Sequence, residues 1–355
     1  MRTKQNLHTT FLNVMKFFFF AFLLVFAACG SQDEPSAEKE NEQQPSDTKI
    51  ELSAEGWKSL VESRVDLFGS DNFKDEGTLD EPKPGGNFML HAYHSDGTPY
   101  LEDKRVWYFK DDEEWRFREG NDLVDYYWPY EGTLNFFAYM PYSGYTAKNH
   151  YVSYRGYTAQ NENTEGYGPT FYCDLPNTNE NENEEVEFIY AYAEEKNKNN
   201  GPVNLNFSHP FAIINFKLAA GSSRMTVNSL ILNNIHLQGN CYLEPDLIWD
   251  PEGNVDTYTI TVDKRIPNDI NYNTDFAGPF VVMPQDCTRI TLTMNFKRDA
   301  NTDPENRSWY LTDKWEPGHV YTYKISYGDS ASEIYFSVEV EEWNIEDYKN
   351  VVEVE

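Results

Sequence analysis

The sequence contains few of the residues and motifs on which catalytic and metal sites depend. Only 4 Cys and 7 His occur among its 355 residues, and no Cys lies in a CxxC pair or in a zinc-like spacing. His91 and His94 are three positions apart, but residues i and i+3 of a strand point to opposite faces. The sequence has no GxSxG, P-loop, HExxH or helix-opening GxGxxG motif. We therefore predict no catalytic residue, no metal site, no cofactor, and a protein that is not an enzyme.

Positive charge is also scarce. The chain has 29 Lys and Arg residues against 59 Asp and Glu, which gives a formal net charge of −30. Such a surface repels nucleic acid and anionic lipid head groups, so neither is a predicted partner. Two strongly acidic runs, residues 111–114 and 177–185, lack the ligand order of an EF-hand loop, and we interpret them as solvated loops.

The only long hydrophobic run spans Phe17 to Phe26. It is shorter than the roughly 20 residues that a helix needs to cross a bilayer. Small residues, Ala27 and Ala28, follow the run, and three basic residues precede it: Arg2, Lys4 and Lys16. This layout predicts a secretory signal peptide over residues 1–28.

The segment Phe26-Ala27-Ala28-Cys29 resembles a lipobox, the site at which a lipoprotein is cut before a diacylated cysteine. The resemblance implies that Cys29 carries a lipid anchor; the alternative is an ordinary signal peptide with an accidental Cys.

Residues 29–49 are predicted to form a flexible acidic tether. After Cys29 they are rich in Ser, Glu, Gln and Pro and contain no apolar residue larger than Ala, so they cannot offset chain entropy by burial. The acidic residues just after Cys29 also resemble signals that send lipoproteins to the outer face of the cell, and a plain spacer is the alternative. We therefore expect a surface-exposed lipoprotein of the cell outer membrane of a Gram-negative bacterium.

From Ile50 onward the dominant hydrophobic period is two, which is typical of strands with one face in a core and the other in water. Aromatic residues make up 16% of the chain and favour strands. In one segment, Ile189 and Ala191 fall on the face predicted to be in water. Only Ala54 to Phe68 has near-helical spacing. The inward positions of the clearest strands are Val186, Phe188, Tyr190 and Tyr192; Ile214, Phe216 and Leu218; Tyr258, Ile260 and Val262; Ile290, Leu292, Met294 and Phe296; Tyr321, Tyr323, Ile325 and Tyr327; and Ile334, Phe336, Val338 and Val340.

A polar run at residues 196–202 ends in a Gly-Pro breaker pair and predicts a domain boundary. It divides the mature chain into two halves of normal sandwich size, residues 50–196 and 197–355. We therefore predict an all-β fold with two tandem antiparallel β-sandwich domains after the signal peptide and the tether.

An aromatic cluster at residues 126–130 has two interpretations. Its rings could form a platform that stacks on sugar, or they could be core and edge residues of a sandwich. Leu134, Phe136 and Phe137 follow directly as a strand that needs packing partners, so the core interpretation is favoured.

Five passages, in order along the chain, resemble the fimbrillin family of surface lipoproteins, which includes the type V pilins. The resemblance implies two tandem β-sandwiches of the transthyretin-like or Greek-key type. It also implies a structural subunit of a fimbrium, or an accessory tip or anchor subunit, that acts in adhesion and has other fimbrial subunits as partners. The passages are Tyr127-Trp128-Pro129 with Leu134–Pro141, Asn206–Ala212, Met283-Pro284-Gln285, Trp315–Tyr323 and Trp343.

The resemblance also implies a route of assembly. In the family, an extracellular Arg-specific protease removes an N-terminal strand, and a strand of the next subunit fills the groove by β-augmentation. Arg64 occupies the place expected for this cut, and an ordinary surface Arg is the alternative. The tail residues Val351, Val352 and Val354 form a candidate donor strand that could instead pair within its own sheet.

The alternative function is a non-polymerising surface lipoprotein that binds glycan or host protein. Exposed aromatic rings around residues 126–130 would be the signal for that function. A glycan-degrading enzyme would need paired carboxylates held in a cleft, and the sequence has no motif for them.

Overall fold

The computed structural model describes residues 45–55, 73–74, 86–140, 152–158, 168–178, 188–220, 225–243, 247–266, 276–298, 300–312, 314–327 and 334–342. Within these residues the chain consists of strands, turns and irregular segments and contains no helix, which confirms the predicted all-β class. It follows that none of the described residues forms a helix long and apolar enough to cross a bilayer. Ala54 and Glu55, the start of the segment with near-helical spacing, belong to a strand, and the rest of that segment lies outside the described residues.

The strands are numbered in chain order. They are β1 (Pro45–Lys49), β2 (Leu52–Glu55), β3 (Asn87–His94), β4 (Pro99–Phe109), β5 (Glu114–Glu119), β6 (Asp122–Leu123), β7 (Tyr127–Pro129), β8 (Leu134–Met140), β9 (Val152–Thr158), β10 (Gly168–Asp174), β11 (Ile189–Lys196), β12 (Val203–Asn206), β13 (Ala212–Ala220), β14 (Thr226–Ile235), β15 (Gln238–Tyr242), β16 (Ile248–Glu252), β17 (Asp256–Arg265), β18 (Ala277–Val282), β19 (Gln285–Asp286), β20 (Thr291–Lys297), β21 (Glu305–Tyr310), β22 (Lys314–Trp315), β23 (His319–Tyr327) and β24 (Ile334–Glu342).

The first sheet has eight strands in the order β11-β8-β3-β4-β5-β2-β12, with β6 beside β5. Its two ends meet where Tyr190 and Ser208 exchange two backbone hydrogen bonds, of 3.1 and 2.8 Å. The sheet is therefore curled into a nearly closed barrel. Apolar side chains fill its interior and form the first core, which includes Leu90, Ala92, Val106, Phe117, Phe136, Ala138, Ile189, Ala191, Val203 and Leu205.

The second half of the chain forms a sandwich of two four-stranded sheets, β18-β13-β23-β24 and β17-β14-β20-β21. Alternating side chains of both sheets face each other and form the second core. Val340 on the edge strand β24, which the period-two pattern places inward, is instead 48% exposed. Most of the core side chains, however, are residues that the pattern places on inward faces, so the prediction is confirmed for them. The second core includes Ile214, Phe216, Leu218, Leu230, Leu232, Tyr258, Ile260, Leu292, Met294, Phe296, Tyr323 and Ile325.

A further four-stranded sheet, β16-β15-β10-β9, covers part of the outer face of the barrel. Phe137 and Tyr139 of β8 lie 5.1 and 5.5 Å from Phe171 of β10, measured between ring centroids. This cover corrects one prediction at β11. Ile189 and Ala191 are fully buried in the first core, whereas the neighbouring tyrosines of β11 pack against the second core. Both faces of β11 contact a core, so alternation alone could not identify the more buried one.

Two pairings between these strands are parallel, β2 with β12 and β13 with β23; the other described strand pairs are antiparallel. Strand β12 follows the predicted domain boundary, yet it pairs with β2 in the first sheet. Strand β15 likewise pairs with β10. Two sheets thus contain strands from both sides of the boundary between residues 196 and 197, and the division into residues 50–196 and 197–355 stays a prediction.

Candidate functional site at the first two strands

Strands β1 and β2 lie between parts of the chain that are distant in sequence. Strand β1 pairs with β7, and β2 lies between β5 and β12. The amide of Ile50 donates to the carbonyl of Tyr126 at 2.8 Å, and the amide of Val203 donates to the carbonyl of Glu51 at 2.8 Å. We call the surroundings of residues 45–55 the strand seat; it consists of β5, β7, β12, Phe73 and Phe207.

The local sequence explains why this segment is extended and which way it faces. Apolar residues alternate with polar ones, and Ile50, Leu52 and Ala54 are 6%, 9% and 3% exposed. Glu51 and Glu55 between and after them are exposed. An alternation of this kind places one face of a strand in a core and the other in water. The segment therefore supplies three apolar side chains to the first core.

Aromatic rings form the inner wall of the strand seat. Trp115 of β5 lies opposite Leu52, and its indole Nε1 donates to the carbonyl of Ala54 at 3.2 Å. The centroid of Phe73 lies 5.5 Å from that of Trp115 and 5.3 Å from that of Phe207. Aromatic pairs at these distances contribute stability beyond the area they bury. The wall is thus ordered by contacts among its own rings as well as by the segment.

The polar side-chain contacts of residues 45–55 contribute less to stability than their apolar contacts do. Lys49 Nζ lies 2.5 Å from Asp125 Oδ2, and both side chains are about half exposed. Exposed ion pairs of this kind add little to stability. The pairing of β2 with β5 is limited to the register Leu52 to Trp115. Main-chain pairing with β12 and burial of the three apolar side chains therefore account for most of the stability with which this segment is held in the strand seat.

Sequence reasoning placed residues 29–49 in a flexible tether, but the last five of them form β1, which pairs with β7. It also missed the residues that line the strand seat. Trp115 alternates with charged residues in β5, and this pattern predicts a strand without indicating its partner. Phe207 falls within a passage that resembles the fimbrillin family, yet its contact with Phe73 is not readable from the sequence. The predicted site residues Cys29, Arg64, Val351, Val352 and Val354 all lie outside the described residues.

The aromatic cluster at residues 126–130 does not form a platform. Trp128 is 2% exposed, and its ring packs edge-on against Phe136 at 5.5 Å. Tyr126 packs against Phe117 at 4.8 Å. Tyr130 is 63% exposed, with Lys198 Nζ 4.7 Å from its ring centroid. The core interpretation is therefore confirmed for Trp128, and Tyr130 is left as a single exposed ring.

The two histidines considered as a metal pair have separate surroundings. His91 is 2% exposed and packs 4.5 Å from Tyr154, whereas His94 packs edge-on against Tyr100 at 5.3 Å. Within the described ranges, no group of three or more His, Cys, Asp or Glu side chains is arranged to hold a metal ion. The described cysteines, Cys173, Cys241 and Cys287, are buried and form no disulfide with one another, and burial raises the pKa of Cys173 to about 12.

His91 makes stability depend on pH. Burial lowers its pKa to about 4, and the Asp103 carboxylate opposes this only partly. An unfolded His titrates near 6.5. Above that pH the ring is neutral in both states and the folded state is fully stable, whereas this stability is lost as the pH falls from 6.5 toward 4. When the pH falls from 7 to 5, protonation of this side chain in the unfolded state should lower the free energy of unfolding by about 2 kcal/mol. Urea unfolding of the protein and of His91→Gln at both pH values checks this; an equal pH dependence of the two would contradict it.

The chain was compared with known sequences and solved structures. No curated protein sequence matches the chain. A fimbrial protein of Bacteroides vulgatus ATCC 8482 is similar in structure, with a TM-score of 0.55 and 14% identity over 84% of this chain and 100% of that one. Candidate cell adhesion proteins of Bacteroides uniformis ATCC 8492 and Bacteroides ovatus ATCC 8483 are each 16% identical, with TM-scores of 0.48 and 0.49. The former comparison covers 85% of this chain and 100% of that one, and the latter 86% and 99%.

The sequence itself decides the family. The sequence model of the fimbrillin-like family matches residues 86–343, which is most of the chain. This range contains the second core, most of the first core and all five passages, the last of which, Trp343, is its final residue; β1, β2 and Phe73 precede it. The predicted resemblance is therefore confirmed, and the chain belongs to the fimbrillin-like family.

Proposed function

We propose that the chain is a structural or accessory subunit of a fimbrium that acts in adhesion at the cell surface. Membership of the fimbrillin-like family over residues 86–343 supports this. The neighbour from Bacteroides vulgatus is itself a fimbrial protein. On this proposal the partners are other fimbrial subunits, and the protein is not an enzyme.

The proposed mode of assembly is strand exchange at the strand seat. The observation that carries it is the position of residues 45–55, which pair with strands distant in sequence and bury three side chains. If the segment were released, the edges of β5 and β12 would lose a partner and the aromatic wall would be uncovered. A strand with the same alternation would satisfy the main chain and fill the same volume.

The C-terminal tail has a suitable pattern. Residues 352–355 read Val-Glu-Val-Glu, and residues 52–55 read Leu-Ser-Ala-Glu. In both, two apolar residues alternate with polar ones and a Glu follows. With Val351 before them, Val352 and Val354 of one subunit would occupy the positions of Leu52 and Ala54 in the next. Arg64 follows β2 in sequence, so a cut there would free both β1 and β2 from the rest of the chain.

The proposed location is the outer surface of the outer membrane. The signal peptide over residues 1–28 would direct export, and acyl chains on Cys29 would anchor the protein at about 0.8 kcal/mol per buried methylene. Residues 29–44, the part of the predicted tether that precedes β1, would span the distance to the folded part. In this arrangement the cut at Arg64 would separate the folded part from its lipid, so a chain that is not cut stays anchored to the membrane.

Arg64→Ala should block maturation and assembly. Cells with this change should carry an uncut chain, still acylated and larger by the segment up to residue 64, and should show no ladder of subunits on a denaturing gel of surface material. Arg265→Ala, which removes an exposed Arg from the end of β17, is the matched control and should leave the ladder unchanged. Normal fibres on Arg64→Ala cells would exclude the cut at this site.

A further inference from the structure

The outer face of the sheet β17-β14-β20-β21 carries no charged side chain at its twelve central positions. The strand register arranges these positions in three rows of four. We call them the uncharged face. The rows are Thr261, Ser229, Asn295 and Asn306; Thr259, Ile231, Thr293 and Ser308; and Thr257, Asn233, Thr291 and Tyr310.

This composition is unusual for the molecule. The chain has 25% charged residues and a net charge of −30. The opposite sheet of the same sandwich is charged on its outer face, where Lys324 Nζ lies 2.6 Å from Glu339 Oε2. The outer face of β4 and β5 carries Arg105, Arg116 and Arg118, and all three lie over aromatic rings of β4 within 5.8 Å. An outer face without charge at its centre is therefore a property of this one sheet among those compared. Arg265 and Lys297 lie opposite Thr226, in the next row along the strands.

Hydrogen bonds fix the polar groups of this face in place. Asn295 Nδ2 donates to Asn306 Oδ1 at 2.7 Å, and its own Oδ1 accepts from Asn228 Nδ2 at 2.7 Å. The hydroxyls of Thr293 and Ser308 are 2.9 Å apart. Strands lie about 4.8 Å apart, so the face presents regularly spaced hydroxyl and amide groups with little side-chain freedom left to lose on binding.

The face is open to solvent and ends in an aromatic ring. Thr257, Thr261, Asn306 and Ser308 are exposed, and Tyr310, at the corner on the edge strand β21, is 71% exposed. A Tyr side chain offers an apolar ring face and a polar tip. A large exposed ring beside ordered hydroxyl and amide groups is suited to a ligand that has both apolar faces and hydroxyl groups.

We infer that the uncharged face binds a neutral polysaccharide. Charge complementarity favours an uncharged ligand, because anionic glycans are repelled by the net charge of −30 and nothing on this face would pair with them. Sugar hydroxyls can exchange hydrogen bonds with Thr, Ser and Asn groups, and no ion has to be desolvated. The ring of Tyr310 would contact the apolar face of one sugar unit. This binding surface is distinct from the strand seat and does not depend on strand exchange.

A binding experiment with full-length protein in mild detergent tests the inference. Native gels cast with a neutral β-glucan, mannan or galactan should retard the protein in at least one case, and gels with polygalacturonate should not. Ser308→Asp should weaken retention by about tenfold or more, because a carboxylate without a counter-charge would be desolvated beneath the ligand. Tyr310→Ala should weaken it as well.

Ser337→Asp is the matched control, because Ser337 is exposed on β24 in the opposite sheet. It should bind within about twofold of the unchanged protein, as surface substitutions away from special features do. Both aspartate variants should melt at similar temperatures and still give surface ladders. Three results would overturn the inference: no retention by any neutral polysaccharide, equal effects of Ser308→Asp and Ser337→Asp, or sedimentation showing that Ser308→Asp abolishes a dimer, which would make a second copy the occupant.

Discussion

Leu52→Asp is expected to lower the unfolding free energy by about 3–5 kcal/mol, because it places a carboxylate among aromatic rings that offer it no counter-charge. Leu52 is 9% exposed and lies opposite Trp115. The effect should appear both as a lower urea midpoint and as faster trypsin cleavage at Lys49, the exposed residue that ends β1.

Ser53→Asp is the control for this change. Ser53 is adjacent on β2, is partly exposed and points away from the first core. Its unfolding free energy should stay within about 0.5 kcal/mol of the unchanged protein. If the two aspartate variants were equally stable, Leu52 would not face the core and the strand seat as described here would be wrong.

The expected result bears directly on the proposed assembly. A segment that can be exchanged has to be held firmly enough to protect the core before cleavage and has to leave an ordered groove afterwards. The rings of Trp115, Phe73, Phe88 and Phe207 contact one another at centroid distances of 4.9 to 5.5 Å. Contacts among the four rings do not involve residues 45–55, so the wall has a source of order that the segment does not provide.

How far sequence alone predicted this fold depends on how many faces of a strand are covered. Where a sheet has one buried and one solvated face, as in β17 and β20, the period of two identifies the inward residues. At β11 the period fails, since both faces contact a core. Alternation reports a difference between two faces and cannot report that both are buried.

The candidate site was less predictable because its parts are brought together by pairing across long sequence separations. The alternation around Leu52 predicts a strand, but nothing local indicates that β12 pairs with it in parallel. The same limit applies to the uncharged face, whose rows combine residues of β14, β17, β20 and β21. Each of these strands reads as an ordinary half-buried strand, and only the register reveals that their outward residues form one surface without charge.

Trp315→Ala is expected to lower the unfolding free energy by about 3–5 kcal/mol, as truncation of a fully buried Trp usually does. Trp315 is 0% exposed, and its indole Nε1 donates to the hydroxyl of Tyr323 at 2.8 Å. Its strand pairs with β19 through Gln285, whose side-chain oxygen accepts from the amide of His236 at 2.8 Å. Trp315 thus stabilises the point where two motif passages of the family meet. Removing its side chain should therefore destabilise both passages.

Two further substitutions test whether burial of the ring explains the destabilisation expected for Trp315→Ala. Trp315→Phe keeps much of the ring volume and should cost clearly less than the alanine change, with about 1 kcal/mol of its cost coming from the hydrogen bond to Tyr323. Trp309→Ala removes a half-buried ring that stacks on Phe336 at 5.7 Å near the edge of the sandwich, so it should cost less than Trp315→Ala because the edge can admit water. Urea unfolding followed by circular dichroism measures all three. If Trp309→Ala destabilised the protein as much as Trp315→Ala, burial would not explain why a Trp is needed at position 315, and a role in that motif beyond packing would have to be sought.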